Sequence, residues 1–353
     1  MPAETLYGIE KSNRSADNLW GKNQFNSSFP ASLACYMRDQ GINAVYVYLD
    51  QDLNVRTREI PVSEVFNVSP DARTGDIEFH FESKYEPYQA FARDDIRGID
   101  LVIRQGDSFR RALEVKLTVV PDQTTFRQEE SQWAPEVVIR PASTSYCGLG
   151  MIESCKDDLA TVRDIFEPLC SGIQTWNNHV EILSRQEAMV DTLNHFQTHF
   201  IEAQKPFLMQ PIWKTRGKSP ILDSNAFDIF VWSDFALCRT FIDRSSDPKA
   251  KTVSRFLRSS ARLSRFLYEV SCQGKTNISR IYTDMSFNSQ SDKEFALSGK
   301  ITRNYLDHPR RTKPALGPEV LKEIILNGGE RKLSPERRFD QTVFYTASEL
   351  FEK

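Results

Sequence analysis

The chain has 353 residues, 40% of them hydrophobic and 26% charged, with a net charge of −3. These proportions exclude a disordered or collagen-like polymer, and the length suits one large domain or two ordinary ones. There is no apolar run of the roughly 18 residues that a membrane helix needs, and Met1 to Asn13 lacks the apolar centre of a secretory signal. The six cysteines, Cys35, Cys147, Cys155, Cys170, Cys238 and Cys272, form no CxxC or CxxH pair. That disfavours structural zinc and fits the reduced thiols of a cytoplasmic protein with no membrane partner.

In chain order, Ser28 or Ser32 is a cap for a short helix through Arg38, stopped by Gly41. Asn43 to Leu49 (NAVYVYL) reads as a strand, with Val55 to Pro61 as its partner. Asp76 to Glu82 (DIEFHFE) alternates with period two. Ile99 to Arg104 and Ala112 to Val119 are two more strands. Gln105-Gly106-Asp107-Ser108 between them is a turn signal, so an antiparallel hairpin is expected. Glu136 to Arg140 is a further short strand. Helical spacing follows over Met151 to Leu169 and Trp176 to Ala203, then strands at Phe207 to Trp213 and Phe227 to Trp232. Lys251 to Ser271 reads as an amphipathic helix. Val253, Phe256, Leu257, Leu263, Phe266 and Leu267 face inward on it, and Arg255, Arg258, Arg262 and Arg265 lie largely on other faces. Pro318 and Gly328-Gly329 bracket a last helix. The pattern predicts an α/β or α+β fold with a central mixed sheet flanked by helices, in a single integrated body over 1–353.

The chemistry-bearing segment is Gly98-Ile99-Asp100-Leu101-Val102-Ile103, a turn, then Leu113-Glu114-Val115-Lys116-Leu117. Alternation points Glu114 and Lys116 to one face and Leu113, Val115 and Leu117 to the other. A hairpin brings Asp100 beside Glu114. Two converging carboxylates are stable around a hard cation, and Mg²⁺ takes such oxygen ligands, with the Val115 carbonyl completing a half-shell. Such an ion polarises a phosphate and acidifies a bound water, while Lys116 orients that water or stabilises developing charge. An isolated ExK pair is otherwise an ordinary surface ion pair.

This arrangement resembles the PD-(D/E)XK nuclease signature, with Gly98-Ile99-Asp100 where a Pro-Asp pair often stands. Together with Gly21-Lys22-Asn23-Gln24-Phe25-Asn26-Ser27-Ser28-Phe29-Pro30 and Pro121-Asp122-Gln123-Thr124-Thr125, it resembles the HindVP family of type II restriction endonucleases, mostly through the first 150 residues. The resemblance implies a restriction-endonuclease-like core over 20–145. It also implies a homodimer that needs Mg²⁺ to cut double-stranded DNA at a GRCGYC-type palindrome, alongside a cognate DNA methyltransferase. The alternatives are another PD-(D/E)XK nuclease, for repair or junction resolution, or a DNA-binding protein without catalysis.

Further candidates surround this centre. Glu78 is a possible extra metal ligand, with His80 and Glu82 on its face under strict alternation. Asn23, Gln24 and Asn26 offer donors ahead of a helix N-terminus, which suits phosphate. Basic residues outnumber acids from Lys249 to Lys313. Arg255, Arg258 and Arg262 recur along the helix like backbone contacts, whereas Arg303, Asn304, Arg310 and Arg311 suit base reading. The region 206–353 is accordingly expected to recognise DNA, and the helices of 146–205 carry enough apolar residues for a dimer interface as well as a core. Asp122 is read as a turn cap, and His195 with His199 as ordinary helix residues.

Overall fold

The β-branched and aromatic run Ala44–Leu49 forms strand β1, which pairs antiparallel with β2 (Val55–Ile60) in continuous register from Ala44 opposite Ile60 to Leu49 opposite Val55. The computed structural model describes residues 31, 34–35, 37–38, 41, 43–96, 98–115, 137–139, 141–211, 214–216, 219–221, 229–243, 245–287 and 295–297. After β2 come the short helix α1 (Val62–Phe66), β3 (Glu78–Ser83), α2 (Glu86–Gln89), β4 (Ile99–Gln105) and β5 (Ser108–Val115). The expected hairpin is present. Gln105 pairs with Ser108 across a two-residue turn whose Gly106 has φ +56°, the left-handed backbone that so tight a connection requires. The final expected strand before the helices is β6 (Val137–Ile139).

Helices α3 (Pro141–Ser154), α4 (Leu159–Cys170), α5 (His179–Ser184) and α6 (Gln186–His199) follow, then β7 (Pro206–Pro211), β8 (Lys214–Arg216), β9 (Ser219–Ile221) and β10 (Ile229–Ser233). The chain continues through α7 (Asp234–Ile242), α8 (Arg255–Gln273), α9 (Ile278–Asp284) and β11 (Phe295–Leu297). The two helical stretches expected from periodicity are each divided. The first begins ten residues earlier, at Pro141, and breaks before Asp158, whose side chain accepts from the Thr161 amide to start α4. In the second, Asn178 caps α5 and Arg185 separates it from α6. Helices α7 and α9 were not expected from periodicity. Ser233 caps α7 by accepting from the Ala236 amide, and Asn277 caps α9 through the Arg280 amide. The last expected helix, from Pro318, lies outside the described residues.

Seven strands form one mixed sheet in the order β2-β1-β10-β7-β5-β4-β3, with β6/β11 and β8/β9 as separate two-stranded ribbons. β5 runs parallel to β7, and β1 parallel to β10. Both sheet faces are buried. Val45, Val47, Val102, Ala112, Leu208 and Trp232 belong to the large core shared with α3, α4 and α6–α8. Their alternating neighbours Tyr46, Leu101, Ile103, Leu113, Met209 and Val231 are buried outside that cluster, where Phe66 of α1 meets Phe79 edge-on at 5.1 Å. The fold is α+β with a restriction-endonuclease-like mixed sheet between helices.

α8 corrects one expectation. Its polar face is not open. Arg258, Arg262 and Arg265 are only 8%, 4% and 6% exposed, and Ser259, Ser260 and Ser264 are buried with them. The helix is packed by α3, α4, α6, α7 and α9, so Arg258, Arg262 and Arg265 are enclosed by the helical layer. Arg262 donates to the Met285 carbonyl at 2.8 Å and lies 4.5 Å over the Tyr282 ring. Arg265 pairs with Glu269 at 2.7 Å and Asp284 at 2.9 Å. The helices of 146–205 bury Ile152, Val162, Phe166, Leu193 and Phe196 in the core and leave Leu159, Trp176, Leu183 and Val190 partly exposed, and Val180 is the exposed large hydrophobic residue among the described residues. No helix among the described residues is long and apolar enough to cross a membrane.

Candidate active site

Leu101 pairs with Leu113 and Val102 with Ala112, so the next step of the register sets Asp100 across from Glu114. Residues directly opposite in an antiparallel pair share a face, with Cβ atoms about 5 Å apart. The Asp100 carboxylate turns onto β5, where Oδ2 accepts the Val115 amide at 2.9 Å. Glu114 is 6% exposed and its backbone pairs with Leu208 of β7 on the other side. By alternation both acids lie on the face of Val102 and Ala112, the one covered by the helical layer. The face that alternation gives to Glu114 is therefore buried as well as the face of Leu113 and Val115. Tyr146, from the first half of α3, donates to the Gly98 carbonyl at 3.3 Å and fixes the helix against the backbone leading into Asp100. Sequence reading missed Tyr146, because the run STSYCGLG has no helical periodicity of apolar residues.

Two acids placed this way repel each other unless one holds a proton or a cation lies between them. The donors are oxygens only, and no group of three or more His, Cys, Asp or Glu residues that could hold a metal ion gathers among the described residues, here or elsewhere. This chemistry fits a hard cation and not a soft one.

The profile described as HindVP restriction endonuclease matches residues 20–351. The chain belongs to the HindVP restriction endonuclease family. It is 37% identical over 353 residues to the type II restriction enzyme HgiDI of Herpetosiphon aurantiacus, covering 99% of this chain and 97% of that one. It is 34% identical over 349 residues to the probable type II restriction enzyme HindVP of Haemophilus influenzae, covering 98% and 94% of the two chains. No solved structure matches it with significance. The family places the chain among PD-(D/E)XK-type restriction nucleases, hydrolases that act on DNA.

Not every candidate in this HindVP-family chain converges on the acid pair. Glu78 stands opposite Arg104 and pairs with His80 at 3.0 Å. It is four residues along the ladder from the Asp100 position, about 13 Å at ~3.3 Å per residue. The β3 position across from Asp100 belongs instead to Glu82, between Phe81 opposite Leu101 and Ser83 opposite Ile99. Lys116, Asp122, Asn23, Gln24, Asn26, Arg303, Asn304, Arg310 and Arg311 lie outside the described residues, and Arg255 is described only as the first residue of α8. His195 and His199 lie on α6, with His199 edge-on to Phe200 at 4.7 Å.

Proposed function

We propose that this chain is a type II restriction endonuclease that hydrolyses phosphodiester bonds at a specific palindromic site in duplex DNA, with Mg²⁺ as cofactor and Asp100, Glu114 and Lys116 as catalytic residues. The observation that carries this reading is the cross-strand setting of Asp100 against Glu114, with the Asp100 carboxylate turned onto the β5 backbone. Family membership and the printed activity of the two relatives support it. Asp100, Glu114 and the Val115 carbonyl are the oxygens that would hold the ion. When bound, Mg²⁺ supplies charge to the scissile phosphate and acidity to a water. The Val115 amide holds Asp100 in one orientation, which limits the reorganisation needed at the site. Lys116, two residues beyond Glu114, is assigned to orient the attacking water and to stabilise phosphate charge.

Target recognition is assigned to the region 206–353. Arg303, Asn304, Arg310 and Arg311 are proposed to read a GRCGYC-like site, and Asn23, Gln24, Asn26 and Arg255 to contact phosphates. Burial of Arg258 and Arg262 favours a packing role for those two. A two-fold palindrome suits a homodimer with one acid pair per strand. A cognate methyltransferase is its functional counterpart, and the cytoplasm is the compartment where both meet DNA. One integrated body over 1–353 is supported by β7 and β10, from beyond residue 206, lying between β5 and β1.

The test is a digest of phage and plasmid DNA with and without Mg²⁺. Discrete fragments that need the metal are expected. Random degradation would point to another PD-(D/E)XK nuclease, and binding without cutting to a protein that has lost catalysis. Mixed dimers with one Lys116→Ala subunit should nick the duplex instead of breaking it.

A further inference from the structure

A cleft of about 130 Å³ opens between the start of β5, the start of β7, the second half of α3 and the first turn of α7. On β5 its lining runs from Arg110 to Ala112, and neither Asp100 nor Glu114 is part of it. Six of its lining residues carry its chemistry: Arg110, Arg111, Glu153, Ser154, Lys205 and Asp234. Four buried polar atoms there have no hydrogen-bond partner: Arg110 Nε, Arg111 Nε, Ser154 Oγ and Asp234 Oδ1. Asp234 is only 2% exposed. Buried polar atoms are nearly always satisfied, so four on residues that line one cavity mark it as a polar site with hydrogen bonds still to be made.

The lining chooses the occupant. Arg110, Arg111 and Lys205 are cationic, and Glu153 opposes them. Burial, then the nearby Glu153 charge, pushes the Asp234 carboxyl well above the ordinary carboxylate range despite Arg111 and Lys205. The cleft thus sets three cations, Arg110, Arg111 and Lys205, against the two acids Glu153 and Asp234, and Arg110 Nε, Arg111 Nε and Ser154 Oγ are donors. An acceptor-rich oxyanion fits a lining in which cationic donors outnumber acids, since tetrahedral oxygens match guanidinium and ammonium donors. The floor is rigid: a Cβ on Gly150 would lie 2.2 Å from Asp234 Oδ2, so only glycine lets α3 close on this carboxyl.

We propose that this cleft binds a small tetrahedral oxyanion of the phosphate class, held by Arg110, Arg111 and Lys205 with Ser154 and Asp234 beneath, at a site separate from the Asp100–Glu114 pair. The ion joins strands β5 and β7 to helices α3 and α7 and thereby stabilises the folded chain.

The experiment is thermal unfolding of the full-length protein in a non-coordinating buffer with EDTA and no duplex DNA. Inorganic phosphate is titrated against chloride at constant ionic strength. A saturable rise in Tm with phosphate and none with chloride is expected, because a ligand that binds only the native state stabilises by mass action. Lys205 is exposed, so Lys205→Met tests the site without threatening the fold and should weaken the apparent phosphate affinity about tenfold. Arg111→Gln should weaken it further, with broadening of the ³¹P resonance by the wild type as an independent readout. Single-stranded dinucleotides with and without a 5′-phosphate form a parallel arm. A response to free phosphate alone assigns a soluble ion, and one confined to the phosphorylated dinucleotide assigns a DNA end. An equal rise with chloride, or a wild-type phosphate response in both variants, would overturn the proposal and leave water as the occupant.

Discussion

Replacing Asp100 in two ways separates its structural role from its catalytic one. Asp100→Ala removes the acceptor of the buried Val115 amide, and an unsatisfied buried donor costs about 1–3 kcal/mol. Asp100→Asn keeps an oxygen that can accept this amide. Both substitutions remove one of two acids that the register sets across from each other, with Cβ atoms about 5 Å apart. In EDTA, then, Asp100→Ala should be less stable than Asp100→Asn by about 1–3 kcal/mol, the cost of the orphaned Val115 amide. Urea unfolding followed by tryptophan fluorescence measures this. Added Mg²⁺ should raise the stability of the wild type and of neither variant, and both variants should fail to cut cognate DNA. If Asp100→Asn kept the Mg²⁺-dependent rise, or lost more stability in EDTA than Asp100→Ala, the paired-carboxylate reasoning would be refuted.

Lys116→Ala should abolish cutting while the Mg²⁺-dependent rise in stability persists, because a lysine is not a metal ligand; gel assays and melting curves on one preparation check both. Asp94 holds the start of α9 from a distant segment, accepting from the Ile278 amide at 2.8 Å, the Ser279 amide at 2.9 Å and the Ser279 hydroxyl at 2.8 Å. Asp94→Ala should cost about 2 kcal/mol by chemical denaturation. Partial burial pushes the Asp94 carboxyl up, but the bonds from Ser279 and Ile278 outweigh it and hold it below its ordinary value. Its contribution is therefore present above about pH 4 and lost as pH falls through the folded-state value, so wild type and variant should converge in acid. Gly150→Ala forces a methyl against the Asp234 carboxyl and should destabilise by about 1–3 kcal/mol, with part of the loss recovered in the double variant Gly150→Ala/Asp234→Ala.

The sequence by itself determined the local features. The alternation of Ile99 to Arg104, the Gly106-Asp107 turn and the ExK spacing were enough to bring Asp100 and Glu114 together, because a two-residue turn leaves little freedom of register. The strand at Asn43 to Leu49 was equally legible from its β-branched and aromatic run. Tertiary structure decided what depends on distant partners. Residues 206–211 and 229–233 enter the sheet between β5 and β1, an order that no local pattern encodes. Glu78 and Glu82 are equivalent in the periodicity of their strand, and only pairing with β4 puts Glu82, not Glu78, across from Asp100. The arginines of α8 show the same limit. A period of 3.6 residues divides a helix into faces, but whether the polar face meets water or other helices is set by what packs on it. Here Glu269, Asp284 and the Met285 carbonyl receive the charges that the sequence pattern had turned toward solvent.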